Sequence, residues 1–206
     1  GIIVPSGFLA RTSEEAAVMA RKTGFPVVLK ISSPDIPHKS DVDGVLANLR
    51  DETSAAQGFS QVVDSARKFL PQAKIDGVIV QRMLPPGQDV IIGALQDPQF
   101  GALAVFGSGG VEAEELKDVA FALAPLTYEE ANYLLDNTWA GRKLRGYRSL
   151  PAADRQAVRQ SLLRFALFAA DFPEFSELEI NPLRVMGEGQ GAFALDVRLR
   201  LTRTAA

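Results

Sequence analysis

The chain has 206 residues, 47% of them hydrophobic and 23% charged, with 22 basic against 25 acidic side chains for a net charge of −3. A mixed, slightly acidic chain of this kind excludes a basic nucleic-acid footprint and a polybasic membrane patch, and its longest apolar runs fall far short of the roughly 20 residues of a membrane-spanning helix. With no cysteine, disulfides, thiolate metal sites and a cysteine nucleophile are excluded, and a cytoplasmic setting is expected.

The chain opens on Gly1 without a signal-like flank, which is the pattern of a piece excised from a longer polypeptide. "SEEAAVMARKTG" predicts a short amphipathic helix with Ser13 as N-cap, glutamates in its first turn and Gly24 as the stop. "FPVVLKI" follows as a continuous apolar run of buried-strand character, ending at Lys30. "GVLANL" (44–49) alternates like a second strand, "SAAQGFSQVVDSARKFL" reads as a helix, and "GVIVQRM" (77–83) reads as a third strand. Pro85, Pro86 and Gly87 then break the periodicity and mark a hinge.

Beyond the hinge, "DVIIGALQD" and "ALAVFG" predict a strand pair turning at Asp97-Pro98, followed by a glycine-rich "GSGG" and the strand-like "DVAFALAPL". Two helical segments come next, "TYEEANYLLDNT" and "AADRQAVRQSLLRFALFAAD". A hairpin of "ELEINPLRV" and "AFALDVRLRL" across "MGEGQG" closes the chain. The expected fold class is α+β, in two lobes: 1–84 with the His38 loop, and 85–206 with the glycine-rich loop and the strands bearing Asn181 and Asp196. Clefts between lobes commonly take small ligands.

Four features carry possible chemistry. Lys30 ends an apolar strand, where its ammonium could meet a phosphate or simply leave for solvent. The glycines of "FGSGG" could let backbone N–H groups converge on an anion, although a tight turn explains them equally. Glu177 and Glu179 share a strand face, with Asn181 nearby and Asp196 on the next strand. That oxygen set suits Mg²⁺ with nucleotide phosphates, and a solvated strand face is the alternative. His38, the only histidine, has no second histidine or cysteine to complete a zinc site, which leaves a general base, a phosphoryl acceptor or an inert loop residue.

These segments occur in register. "PVVLKISSPDIPHKSDVDGV", "GVIVQRM", "DVIIGALQDPQFGALAVFGSGGVEAEELKDVAFALAPL" and "ELEINPLRV…ALDV" resemble the ATP-grasp domain of the NDP-forming acyl-CoA synthetases, over nearly the whole chain. The resemblance implies an ATP-grasp fold with the nucleotide site between two α+β lobes, and ATP/ADP and Mg²⁺ as cofactors. It implies phosphoryl transfer between a phosphohistidine and the nucleotide, with His38 at the position of the relay histidine. By the same resemblance Lys30 looks like the phosphate-binding lysine and Gln81, Arg82 and Met83 like the segment beside adenine. Gly109, Gly110 and Glu114 match a glycine-rich-then-acidic loop, Asn181 and Asp196 look like the Mg²⁺ ligands, and Glu179 looks like the carboxylate that steadies the histidine. The family usually has glycine where this chain has Asp43, which is expected to stiffen the His38 loop, and an acidic residue where it has Arg82.

The implied partners are CoA-binding and CoA-ligase domains, in the same chain or a partner subunit, within an oligomer; neither nucleic acid nor membrane is implied. Two activities compete: the nucleotide part of an ADP-forming acyl-CoA synthetase, and a regulatory, non-catalytic ATP-grasp domain of a protein lysine acetyltransferase. Retention of "EINPL" and Asp196 alongside His38 and Lys30 favours the first.

Overall fold

A computed structural model describes residues 1–110 and 118–202. The chain forms two compact units, Pro5–Pro85 and a larger one of Pro86–Ala206 joined by Gly1–Val4. The first four residues, expected with the first lobe, thus pack with the second: the Ala194 N–H donates to the Ile3 carbonyl at 2.8 Å, and Ile3 bridges Phe193.

In the smaller unit, strands β1 (Gly7–Ala10), β2 (Val27–Ser32), β3 (Val45–Leu49) and β4 (Gly77–Arg82) form an antiparallel sheet in the order β1-β4-β2-β3. Helices α1 (Ser13–Thr23) and α2 (Glu52–Phe69) supply buried residues to the same core as one face of it. β2 is less symmetric than its apolar run predicts. Val27, Leu29 and Ile31 are fully buried with Val78, Val80, Ala20 and Val62, whereas Val28, Lys30 and Ser32 point to the opposite face, as period-two geometry requires.

The cap of α1 is Thr12 rather than Ser13: its hydroxyl accepts the Glu15 N–H at 3.2 Å. Gly24 ends the helix at φ 85° as expected, a backbone state that favours glycine. α2 starts two residues earlier than its apolar pattern indicates, because Asp51 and Ser54 form a capping box that satisfies the first amides. β1 is too short, at four residues, to leave a periodic signal and exists through pairing with β4.

In the larger unit, strands β5 (Gln88–Asp97), β6 (Gly101–Ser108), β7 (Val119–Leu123), β8 (Phe175–Val185) and β10 (Val197–Leu201) are ordered β10-β8-β5-β6-β7, with β9 (Ala192–Ala194) also on β8. Helices α3 (Tyr128–Asp136), the short α4 (Trp139–Lys143) and α5 (Arg155–Asp171) complete the described elements. Val90, Ile92, Phe106 and Ile180 from the sheet share one core with Leu134, Leu162 and Phe165 from the helices.

The β5–β6 turn forms where Asp97-Pro98 predicts it, with the Asp97 carboxylate accepting the amides of Gln99 and Phe100 at 2.8 and 2.9 Å. "AFALDVRLRL", expected as one strand, is two. It is interrupted at Leu195 and Asp196, opposite Asn181 and Pro182 of β8, where proline has no N–H to offer the ladder. No helix among the described residues is long and apolar enough to cross a membrane.

Candidate functional site

In the smaller unit Lys30 is not at a strand end, as the sequence suggests, since β2 continues to Ser32. It stands on the sheet face away from the helices, two residues along from Val28, which is the register partner of Gln81. The side chains meet on that face: the Lys30 ammonium donates to Gln81 Oε1 at 2.7 Å. Gln81, only 7% exposed, passes the polarity on by donating from Nε2 to the Pro5 carbonyl at 3.2 Å. An ammonium on this face, oriented by a buried amide, is suited in type to meet an anionic oxygen.

Arg82 and Met83 follow on the sheet margin, their amides donating to the carbonyls of Ser6 (3.5 Å) and Pro26 (3.0 Å). Arg82 is exposed and Met83 half-buried.

His38 is exposed at the start of a 3-10 turn, Lys39–Val42, in a segment whose proline and serine content predicts no regular structure. Two buried apolar side chains flank it, Ile36 at 3% and Val42 at 5% exposed. The Asp35 carboxylate accepts the Lys74 amide at 2.7 Å, and Gly44 closes the turn by donating to the Lys39 carbonyl at 2.7 Å. Asp43 adopts the left-handed conformation, φ 49°, which accounts for the glycine that the resemblance expects there.

In the larger unit the structure brings four predicted residues together. The Gly110 N–H donates to Asn181 Oδ1 at 3.0 Å, the Asn181 N–H donates to the Asp196 carbonyl at 3.1 Å, and the Gly109 N–H donates to the Asp89 carbonyl at 3.3 Å. A Cβ on Gly109 would fall 2.4 to 2.8 Å from backbone atoms of Val90, so this approach admits only glycine. Gly110 has φ 64°. Glu179 lies two residues before Asn181 on β8, opposite Arg198 and ion-paired with it at 3.8 Å. Asp196 is in the interruption between β9 and β10 rather than in a strand, and Glu114 lies outside the described residues.

Two acidic groups beside the glycine turn escape a reading of the sequence. Asp89 grips Arg184 in a bidentate ion pair at 2.8 Å, and those hydrogen bonds raise the guanidinium's pKa against the opposing effect of burial. The Asp118 carboxylate accepts the Ser108 hydroxyl and the amides of Trp139 and Ala140 at 2.7 to 3.0 Å, which ties the end of β6 to the start of α4. Asp89 opening an apolar run and Arg184 near the end of another were visible, but their pairing depends on a register that sequence does not print.

The residue types at this point are ones that suit Mg²⁺: Asp196 carries a carboxylate and Asn181 a neutral amide oxygen with a second lone pair, and this ion completes its shell with water and phosphate oxygens. Among the described residues no three His, Cys, Asp or Glu side chains converge, as an all-protein cage would need. With such an ion bound, the arrangement would offer the charge neutralisation that phosphoryl transfer requires.

Residues 1–201 match the family model described as an ATP-grasp domain. The chain is 39% identical, over 98% of its length and 86% of the relative's, to acetate–CoA ligase (ADP-forming) I subunit beta of Pyrococcus furiosus. It is 42% identical over 92% of its length to acetate–CoA ligase (ADP-forming) I of Archaeoglobus fulgidus, of which it spans only 27%. Among solved structures it resembles a dinucleotide-forming acetyl-coenzyme A synthetase of Ca. Korarchaeum cryptofilum. With coenzyme A and Ca-AMPCP bound, that enzyme superposes at TM-score 0.92, with 38% identity over 98% of this chain and 87% of the other. With coenzyme A, Mg-AMPPCP and the phosphohistidine segment pointing towards the nucleotide-binding site, it superposes at 0.81, with 36% identity over 98% and 86%. The chain therefore belongs to the ATP-grasp domain family, alongside the beta subunits of the ADP-forming acetate–CoA ligases.

Proposed function

We propose that this chain is the nucleotide-binding, phosphoryl-transferring part of an ADP-forming acyl-CoA synthetase working in the cytoplasm. Its partners are CoA-binding and CoA-ligase domains, in the same polypeptide or in a partner subunit. The observation that carries the reading is the convergence on Asn181, whose side chain holds the Gly110 amide and whose backbone pairs with Asp196. The relatives compared above are ligases and synthetases, which favours catalysis over the regulatory alternative.

In this reading a phosphoryl group arrives on the His38 imidazole. The nitrogen–phosphorus bond breaks, a terminal oxygen of ADP forms the new bond to phosphorus, and the departing nitrogen takes up a proton. Lys30 places its positive charge on the nucleotide phosphates, Gln81, Arg82 and Met83 serve the base, and Glu179 orients the histidine. Asn181 and Asp196 would hold Mg²⁺, which when bound would supply charge neutralisation to the transferring phosphates. The exposure of His38 between two buried anchors supports its part. An imidazole that must visit a donor site and an acceptor site needs reach, and a fixed base to return to.

The test is calorimetric titration of ADP with and without Mg²⁺. Asp196→Ala removes the carboxylate, and we expect the Mg²⁺-dependent gain in ADP affinity to vanish while metal-free binding persists. An unchanged Mg²⁺ dependence refutes the assignment.

A further inference from the structure

We propose that Asp89 and Arg184 form a positioning pair that holds Asn181 and the glycine turn in the geometry needed to take Mg²⁺, an inference resting on the metal reading above. The two residues are register partners across β5 and β8. The guanidinium holds the carboxylate through parallel bonds, Nε to Oδ1 and Nη2 to Oδ2, each 2.8 Å. This fork fixes orientation as well as distance. Both side chains are about a quarter exposed, 23% and 26%, so the pair is only partly screened by solvent.

Its place in the ladder gives it a role. Between Val90↔Leu183 and Ile92↔Ile180 the register slips, leaving Ile91 of β5 opposite Asn181 and Pro182 of β8. A bulge of this kind re-aims side chains, and proline there removes one ladder donor. The orientation of Asn181 is therefore not set by regular strand pairing. It is set by the Gly110 amide on its oxygen, by the bond from its own N–H to the Asp196 carbonyl, and by whatever keeps β5 and β8 in register beside the bulge. Asp89–Arg184 is next in the ladder on that side, one pair beyond Val90↔Leu183.

Asp89 reaches the turn as well. Its carbonyl accepts the Gly109 amide at 3.3 Å, and its Oδ2 lies 3.9 Å from the point where Gly110 would carry a Cβ. One ion pair thus joins the strand that supports the turn to the strand that carries Asn181. Without it, both partners of the Gly110–Asn181 bond lose their side-chain brace, and the aim of Asn181 Oδ1 is left to backbone pairing alone.

The test uses Mn²⁺ as a spectroscopic probe, titrated by electron paramagnetic resonance into the full-length protein with ADP present. Asp89→Asn and Arg184→Gln should weaken Mn²⁺ by about tenfold or more, the range seen when the supporting shell of a metal ligand is removed, while metal-free ADP affinity stays within about twofold. Arg184→Lys keeps the charge but not the fork and should fall between. It decides the matter if Asp89→Asn fails to fold. Unchanged Mn²⁺ affinity in these variants, or an equal loss of metal-free ADP binding, overturns the positioning role. Asn181→Ala is the reference: if it too leaves Mn²⁺ affinity intact, the metal reading falls and the role of the pair falls with it.

Discussion

The His38 segment and the glycine turn are both short irregular stretches that follow a strand, and they are secured by opposite means. Around His38 the anchors are apolar and lie to either side: Ile36 and Val42 are sunk into the core while the histidine between them is exposed. At the glycine turn the anchors grip the backbone itself, with Gly109 on the Asp89 carbonyl and Gly110 on the Asn181 side chain. Side anchors leave the group between them reach, whereas backbone anchors fix where amides point. A relay residue needs the first arrangement and a phosphate or metal site needs the second.

The sharpest way to break the comparison is to remove the imidazole. If His38 is the travelling group, the full-length protein given γ-labelled ATP should acquire acid-labile, base-stable label on this residue. His38→Asn should lose that label completely while binding Mg²⁺ and ADP as before. Equal labelling in the variant places the phosphoryl group elsewhere and makes the exposed loop incidental.

A smaller effect tests the two kinds of anchoring directly. Alanine at Gly109 would drive its Cβ into the Val90 backbone at 2.4 Å, and backbone cannot step aside. The expected cost is about 2 to 3 kcal/mol, at the upper end for overpacking. Alanine at Gly44 would meet the Ile31 Cγ2 at 2.6 Å and only one backbone atom, the Lys39 carbonyl oxygen, at 2.8 Å; with less backbone overlap than at Gly109, about 1 to 2 kcal/mol is expected. Denaturant unfolding of both variants measures the difference. A Gly44 variant less stable than the Gly109 variant reverses the ranking and shows the His38 segment to be the more tightly fitted of the two.

The comparison also separates what was legible in the sequence from what was not. The α+β pattern and the β5–β6 turn could be read from periodicity and turn residues, because each is a local signal, and the ATP-grasp family followed from a resemblance of four segments in register. β1 and α4 could not, since four and five residues hold too little periodicity and both depend on pairing or capping from elsewhere. Lys30 was placed at a strand end because the apolar run stops soon after it, whereas pairing with β4 carries the strand to Ser32. Asn181 and Asp196 could be singled out by residue type, but the interruption that holds Asp196 comes from Pro182 on the neighbouring strand. The Asp89–Arg184 pair was invisible for the same reason: two ordinary charges become one feature only when the register is known.

The finest test of the His38 anchoring is Asp43, where the resemblance leads one to expect glycine. Its φ of 49° lies in the left-handed region, which costs an ordinary L-residue about 1 to 2 kcal/mol and aspartate less, because its short polar side chain can bond locally. Asp43→Gly removes that strain but gives the unfolded chain more freedom, a penalty of about 0.5 to 1 kcal/mol that nearly cancels the gain. Asp43→Ala keeps the strain and loses the local polar group. Stability should therefore rank wild type and Asp43→Gly together, with Asp43→Ala below them by about 1 kcal/mol. Thermal unfolding reads the ranking, and exchange of the Gly44 amide, which closes the turn on Lys39, reports whether the loss is local. If Asp43→Ala matches the wild type, the left-handed geometry is not what holds the end of the loop, and the burial of Val42 must carry that task by itself.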